Sequence, residues 1–213
     1  MKLADPKRDY RPLVQRGYDR VAADFNSARA AESADELAPL LDVLHAGSRV
    51  LDLGCGTGVP IARTLARSHN VVGVDMSGGQ LALACRQVPG ADFVRGDMSR
   101  VAFQPGSFDA IVSFYAIFHL PLSEHAPLIA RIGAWLKPGG YLMATFSPNR
   151  EEGYTEDFFG AEMYWSNLSL PEYHALLEKD GFEILRDRIV GHGYTDEDAK
   201  PEAHPLVFAR KVG

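Results

Sequence analysis

Compact apolar runs alternate with stretches in which apolar residues recur every three or four positions, and this rhythm fills the middle of the chain. The runs 49–53, 71–75, 91–95, 108–114 and 141–146 are short and largely apolar, as strands buried on both faces of a parallel sheet are. Between them the spacing is helical. It predicts a helix over about 59–68, then one behind a Ser77/Gln80 capping box that carries Leu81 to Cys85. A third places Leu128, Ile129, Ile132, Trp135 and Leu136 on one face, and Pro138-Gly139-Gly140 stops it. Upstream, Val14, Tyr18, Val21, Ala22 and Phe25 predict an amphipathic helix from Pro12, and residues 1–11 read as a loose polar tail. Ser33 and Glu36 form a capping box for a further helix through Leu37, Leu40, Leu41 and Leu44, which Gly47 ends.

The last third breaks the rhythm. Residues 148–168 show little periodicity but many aromatics: Tyr154, Phe158, Phe159, Tyr164 and Trp165. Ser169 and Glu172 cap another helix that ends at Gly181. Two final strands, 182–190 and 206–210, have no helix between them and should pair antiparallel. The pattern as a whole predicts an α/β protein, a doubly wound seven-stranded, mostly parallel sheet with an antiparallel last strand.

In such sheets ligands bind beyond the carboxyl ends of the strands, beside the first strand. There the chain reads Asp52-Leu53-Gly54-Cys55-Gly56-Thr57-Gly58, followed by Pro60 at the start of a helix. Glycine lets backbone approach a ligand, and a helix start offers unpaired N–H groups, so this is a nucleotide-type turn. Its spacing is not that of a dinucleotide site, which reads G-x-G-x-x-G; Val59 stands where the third glycine belongs. The second strand closes on Asp75, a carboxylate placed to accept the hydroxyls of an adenosine ribose.

The set D-L-G-C-G-T-G, V-G-V-D, Gly96-Asp97-Met98 and F-D-A-I-V resembles the class I S-adenosylmethionine-dependent methyltransferases, from about Tyr18 to the C-terminus. The resemblance implies a Rossmann-like methyltransferase fold ending in the antiparallel strand pair. It also implies S-adenosyl-L-methionine as cofactor and methyl transfer to O or N of an acceptor, which the aromatic-rich stretch 148–168 suggests is small and partly aromatic. Cofactor contacts then fall on Tyr18, Arg29, Gly54, Cys55, Gly56, Asp75, Met76, Asp97, Met98 and Phe114. The stretch from Phe114 to Pro121 matches the family's fourth-strand motif, with His119 the candidate base, Tyr115 beside it, and Tyr164 and Trp165 facing the acceptor. His119 suits that task because imidazole titrates near neutrality. In-line displacement at a sulfonium methyl needs no metal, and no histidines here show metal-ligand spacing.

The 213 residues suit a single domain over 1–213. Within it, 1–46 forms an N-terminal helical lid, 47–147 the cofactor-binding half, 148–170 a lid insert and 171–213 the C-terminal helix and strand pair. A net charge of −6 argues against nucleic acid as partner. No apolar run approaches the roughly 18 residues of a membrane span, and the N-terminus lacks a signal-peptide core, so a cytoplasmic monomer or homodimer is expected. Cys55 and Cys85 have no redox or metal spacing and read as packing residues. Two other readings stand beside this one: an NAD(P)-dependent oxidoreductase on a related sheet, and a non-catalytic binding module of methyltransferase shape.

Overall fold

The computed structural model describes residues 2–5, 8–28, 34–192 and 202–213. The chain opens with β1 (Lys2–Leu3) and α1 (Arg11–Ala28), whose first N–H is capped by the Asp9 carboxylate at 3.1 Å. A short 3-10 turn leads into α2 (Ala38–Leu41). Then β2 (Arg49–Leu53), α3 (Ile61–Leu65), β3 (Asn70–Asp75), α4 (Gly78–Gln87) and β4 (Asp92–Arg95) alternate as expected. They are followed by β5 (Phe108–Ser113), α5 (Leu122–Trp135) and β6 (Leu136–Thr145). The remainder comprises β7 (Glu151–Phe158), β8 (Ala161–Asn167), α6 (Leu170–Lys179), β9 (Phe182–His192) and β10 (Glu202–Lys211).

Seven strands form one sheet in the order β4-β3-β2-β5-β6-β10-β9. Strands β2 to β6 are parallel, with Val50 opposite Val71 and Leu51 opposite Ile111. Strand β10 runs antiparallel to both neighbours, pairing Leu206 with Thr145 and with Arg188. Side chains alternate across β2, and that alternation builds two cores. Leu51 and Leu53 pack with Leu128, Ile132 and Tyr173 from α5 and α6. Val50 turns the other way, onto Leu40, Ala62 and Leu65. All of these side chains are fully buried, and each leucine, isoleucine and valine among them is worth about 1.5–3 kcal/mol relative to exposure. The order reverses between β2 and β5, which opens a crevice at their carboxyl ends.

Three segments differ from the sequence reading. Residues 151–167 are not irregular but an antiparallel hairpin, β7 with β8, extended by β1 into a second, three-stranded sheet. The two-residue loop Phe159-Gly160 has positive φ at both positions, 52° and 78°, the twist that two-residue hairpins favour. The usual Asn-Gly signal is missing. β8 is also covered on most of its length, so its polar alternation is weak. The supposed loose tail supplies β1, with Lys2 opposite Tyr154. The helix expected from Ser33 to Gly47 is only the 3-10 turn and α2, and Ser33 lies outside the described residues.

Fully buried His125 ties the second half of the fold together. Its Nε2–H donates to the Leu120 carbonyl at 3.2 Å, leaving Nδ1 to accept the Tyr173 hydroxyl at 2.8 Å. Burial pushes its pKa down from 6.5 to about 4. Between those values the unfolded chain takes up a proton that the folded chain refuses, so stability is lost as pH falls from about 6.5 toward 4. The loss reaches about 3 kcal/mol. Urea unfolding at pH 7 and pH 4.5 should show this slope in the wild type and a shallower one in His125→Gln. Equal slopes would contradict the assignment.

Candidate functional site

The turn after β2 is pinned to β3 by two hydrogen bonds: the N–H groups of Gly54 and Cys55 both donate to the Val74 carbonyl, at 2.8 and 3.0 Å. Gly54 has φ +74°, and a Cβ there would lie 2.2 Å from Cβ of Ala116. Only glycine fits. Gly56, at φ +54°, would meet nothing closer than the Gln80 Oε1 at 3.7 Å, so the turn leaves room above itself. Its N–H donates to Oδ2 of Asp75 at 2.9 Å, while Oδ1 of Asp75 accepts the Ser77 N–H at 2.8 Å. Burial raises the Asp75 pKa above the usual carboxylate range, against the pull of these two amides.

Ser77 caps α4, accepting the Gln80 N–H at 3.1 Å. The expected capping box is only half formed, because Asp75 already takes the Ser77 N–H. The Ser77 hydroxyl instead donates to Asp19 of α1 at 2.6 Å, and the Gly79 N–H does so at 3.0 Å. Burial raises the Asp19 pKa, but these bonds outweigh it and hold the carboxyl below its ordinary range. They dock α1 over the start of α4.

Together these elements wall a cleft of about 690 Å³, counting space open to solvent. Tyr18, Gly54, Gly56, Asp75, Met76, Asp97, Met98, Phe114, Tyr115 and His119 all line it. Asp97 both caps a turn, accepting the Ser99 N–H at 2.8 Å, and pairs with the Arg11 Nε at 3.2 Å. Tyr115 has φ +54°, a left-handed conformation that costs a non-glycine residue about 1–3 kcal/mol and that clusters at functional sites. The Thr145 hydroxyl holds it, accepting the Tyr115 N–H at 2.6 Å. His119 is gripped on both nitrogens. Its Nδ1 lies 2.8 Å from the Tyr164 carbonyl, which can only accept, so Nδ1 carries the proton. Its bare Nε2 accepts the Tyr18 hydroxyl at 2.7 Å.

Other sequence candidates fall elsewhere. The Tyr164 ring stacks on Tyr10 at 4.3 Å and its hydroxyl donates to Glu152 at 2.7 Å, so only its carbonyl reaches the cleft region. Burial raises the Tyr164 pKa, and the Glu152 bond raises it further. Trp165 packs behind His119, ring centroids 4.7 Å apart. Cys55 lines a separate cavity of about 390 Å³ with Asn26, Asp52 and Thr57, sharing Gly54, Gly56 and Phe114 with the main cleft. Burial pushes its thiol well above the ordinary range, which leaves a packing group and no nucleophile. Arg29 lies outside the described residues. Arg11 and Gln80 line the cleft without having been singled out for it: Arg11 sat in an apparent tail, and Gln80 in an apparent cap. Among the described residues no group of three or more His, Cys, Asp or Glu could hold a metal ion, and no helix is long and apolar enough to cross a membrane.

The two glycines predict a measurable contrast. Gly54→Ala should cost about 3 kcal/mol or more, because a left-handed alanine also overlaps Ala116. Gly56→Ala should cost about 1–2 kcal/mol from its φ alone. Equal losses in urea midpoint would contradict this packing.

A family model described as a methyltransferase domain matches residues 50–140. The trans-aconitate 2-methyltransferase of Deinococcus radiodurans is 36% identical over 130 residues, covering 60% of this chain and 48% of the relative. Three such relatives are matched over 48%, 52% and 42% of their length, so the chain spans about half of the curated relatives it matches. Among solved structures, the 1,6-didemethyltoxoflavin-N1-methyltransferase of Burkholderia thailandensis superposes with a TM-score of 0.73 at 22% identity. That match covers 100% of this chain and 93% of the other, whose structure holds its acceptor and S-adenosylhomocysteine. A methyltransferase of Methanosarcina mazei superposes with a TM-score of 0.70 at 21% identity, over 82% of this chain and 97% of that one.

Proposed function

We propose that the chain is a class I S-adenosylmethionine-dependent methyltransferase whose cleft binds S-adenosyl-L-methionine and serves methyl transfer to O or N of a small acceptor. The nicotinamide alternative is not favoured by these similarities. The observation that carries the proposal is the Asp75 carboxylate, fixed by two backbone amides at the rim of the glycine turn. The residues fit such a ligand: the turn is open above Gly56, a carboxylate stands beside it, and Met76, Met98 and Phe114 supply an apolar wall.

The bound cofactor supplies a methyl group already activated on a cationic sulfur. Asp75 accepts from sugar hydroxyls, Asp97 faces the base's amine, and Met98 packs on its ring. The face of Phe114 suits the cation. Where the acceptor must lose a proton, the Tyr18 hydroxyl takes it while passing its own to Nε2 of His119, which is held in one tautomer. Tyr18 and Tyr115 bound the acceptor's space, and α1 with the β7–β8 hairpin closes over it. Alignment alone can supply roughly 7–11 kcal/mol of the barrier.

The deciding experiment offers cofactor with a radiolabelled methyl group to a panel of phenols, amines and carboxylic acids. Label should move to an O or N acceptor. S-Adenosylhomocysteine at 100 times its Kd should also stabilise the protein by about 2.7 kcal/mol, and NADH should not. Stabilisation without transfer to any acceptor would favour a binding module, and a response to NADH alone would overturn the proposal.

A further inference from the structure

Gln80 stands in the first turn of α4, five residues beyond Asp75, and it is 1% exposed. Both ends of its carboxamide, Oε1 and Nε2, are buried and make no hydrogen bond. The structure gives a reason. In a full capping box the side chain would return to the Ser77 N–H, but Asp75 holds that group at 2.8 Å. The carboxamide is left against the glycine turn, its Oε1 3.7 Å from the place a Cβ of Gly56 would take, in the wall of the cleft. Buried amides almost always find partners. With α1 docked across the start of α4, the partners of this one come from whatever occupies the cleft.

We propose that the Gln80 carboxamide binds the sugar hydroxyls of the cofactor, as the complement of Asp75. This rests on the cleft being an S-adenosylmethionine site. Asp75 can only accept, and its two oxygens already take the Gly56 and Ser77 amides, so it recognises the O–H of a diol. The diol oxygens still carry lone pairs once their protons are given. The Gln80 amide group donates to them, and its carbonyl accepts from a hydroxyl in turn. Carboxylate and carboxamide together thus read a sugar diol as both donor and acceptor, which neither does alone.

The test is calorimetric titration of S-adenosylhomocysteine into wild type, Gln80→Met and Gln80→Leu, with melting temperatures taken without ligand. Affinity should fall about tenfold in both variants, with ligand-free melting temperatures equal to or above that of the wild type. The same loss should hold for 5′-methylthioadenosine, which keeps the sugar and lacks the amino-acid end. Unchanged affinity would overturn the proposal, and a lowered melting temperature beside it would assign the carboxamide to an ordered water. A loss confined to S-adenosylhomocysteine would move the contact to the amino-acid end and overturn the sugar assignment. A wild type that binds neither ligand would instead refute the cofactor site itself, and this contact with it.

Discussion

Two backbone amides meet on the carboxylate of Asp75, Gly56 at 2.9 Å and Ser77 at 2.8 Å. Through them one side chain sets the distance between the turn leaving β2 and the helix start that follows β3. The glycine turn cannot drift, because Gly54 and Cys55 are also tied to Val74 and Gly54 is wedged against Ala116. Helix α4 cannot start elsewhere, because its capping serine is held from both sides. The half-formed capping box and the stranded carboxamide of Gln80 follow from the same allocation. Burying a carboxylate this way raises its pKa, and the amides oppose that rise.

The cover over the cleft depends on the body beneath it at two points. Asp19 fastens α1 to the start of α4, and His119 accepts a hydrogen bond from a hydroxyl of α1 and donates one to a carbonyl of β8. A histidine so held has a defined tautomer, with its bare nitrogen toward the Tyr18 hydroxyl. The strained Tyr115 just before it carries the chain out of β5 on the path that brings His119 to this place. Backbone strain, contacts with α1 and β8, and candidate chemistry therefore share a few residues.

Much of this was legible in the chain. The β2, β3 and β5 runs read clearly because both of their faces are buried, and the antiparallel end followed from two strands with no helix between them. Asp75 and the glycines declared themselves by spacing. What stayed hidden depended on long-range contact. The hairpin β7–β8 lacks a turn signature at Phe159-Gly160, and β1 becomes a strand only because β7 lies beside it. Arg11 joins the cleft through Asp97 and Glu124, which are remote in sequence. Tyr164 looked like a pocket residue, but Tyr10 and Glu152 claim its ring and hydroxyl. Gln80 looked like a cap because its competitor for the Ser77 amide is a carboxylate two residues before that serine.

The claim that most of this rests on is that Asp75 reads a cofactor's sugar at the carboxyl edge of the sheet. Titration of S-adenosylhomocysteine into purified wild-type protein and into Asp75→Asn measures it directly. Saturable binding in the wild type, weakened at least about tenfold in the variant, is the predicted result. Equal affinity in the two proteins, or no binding heat from a folded wild type, would contradict it.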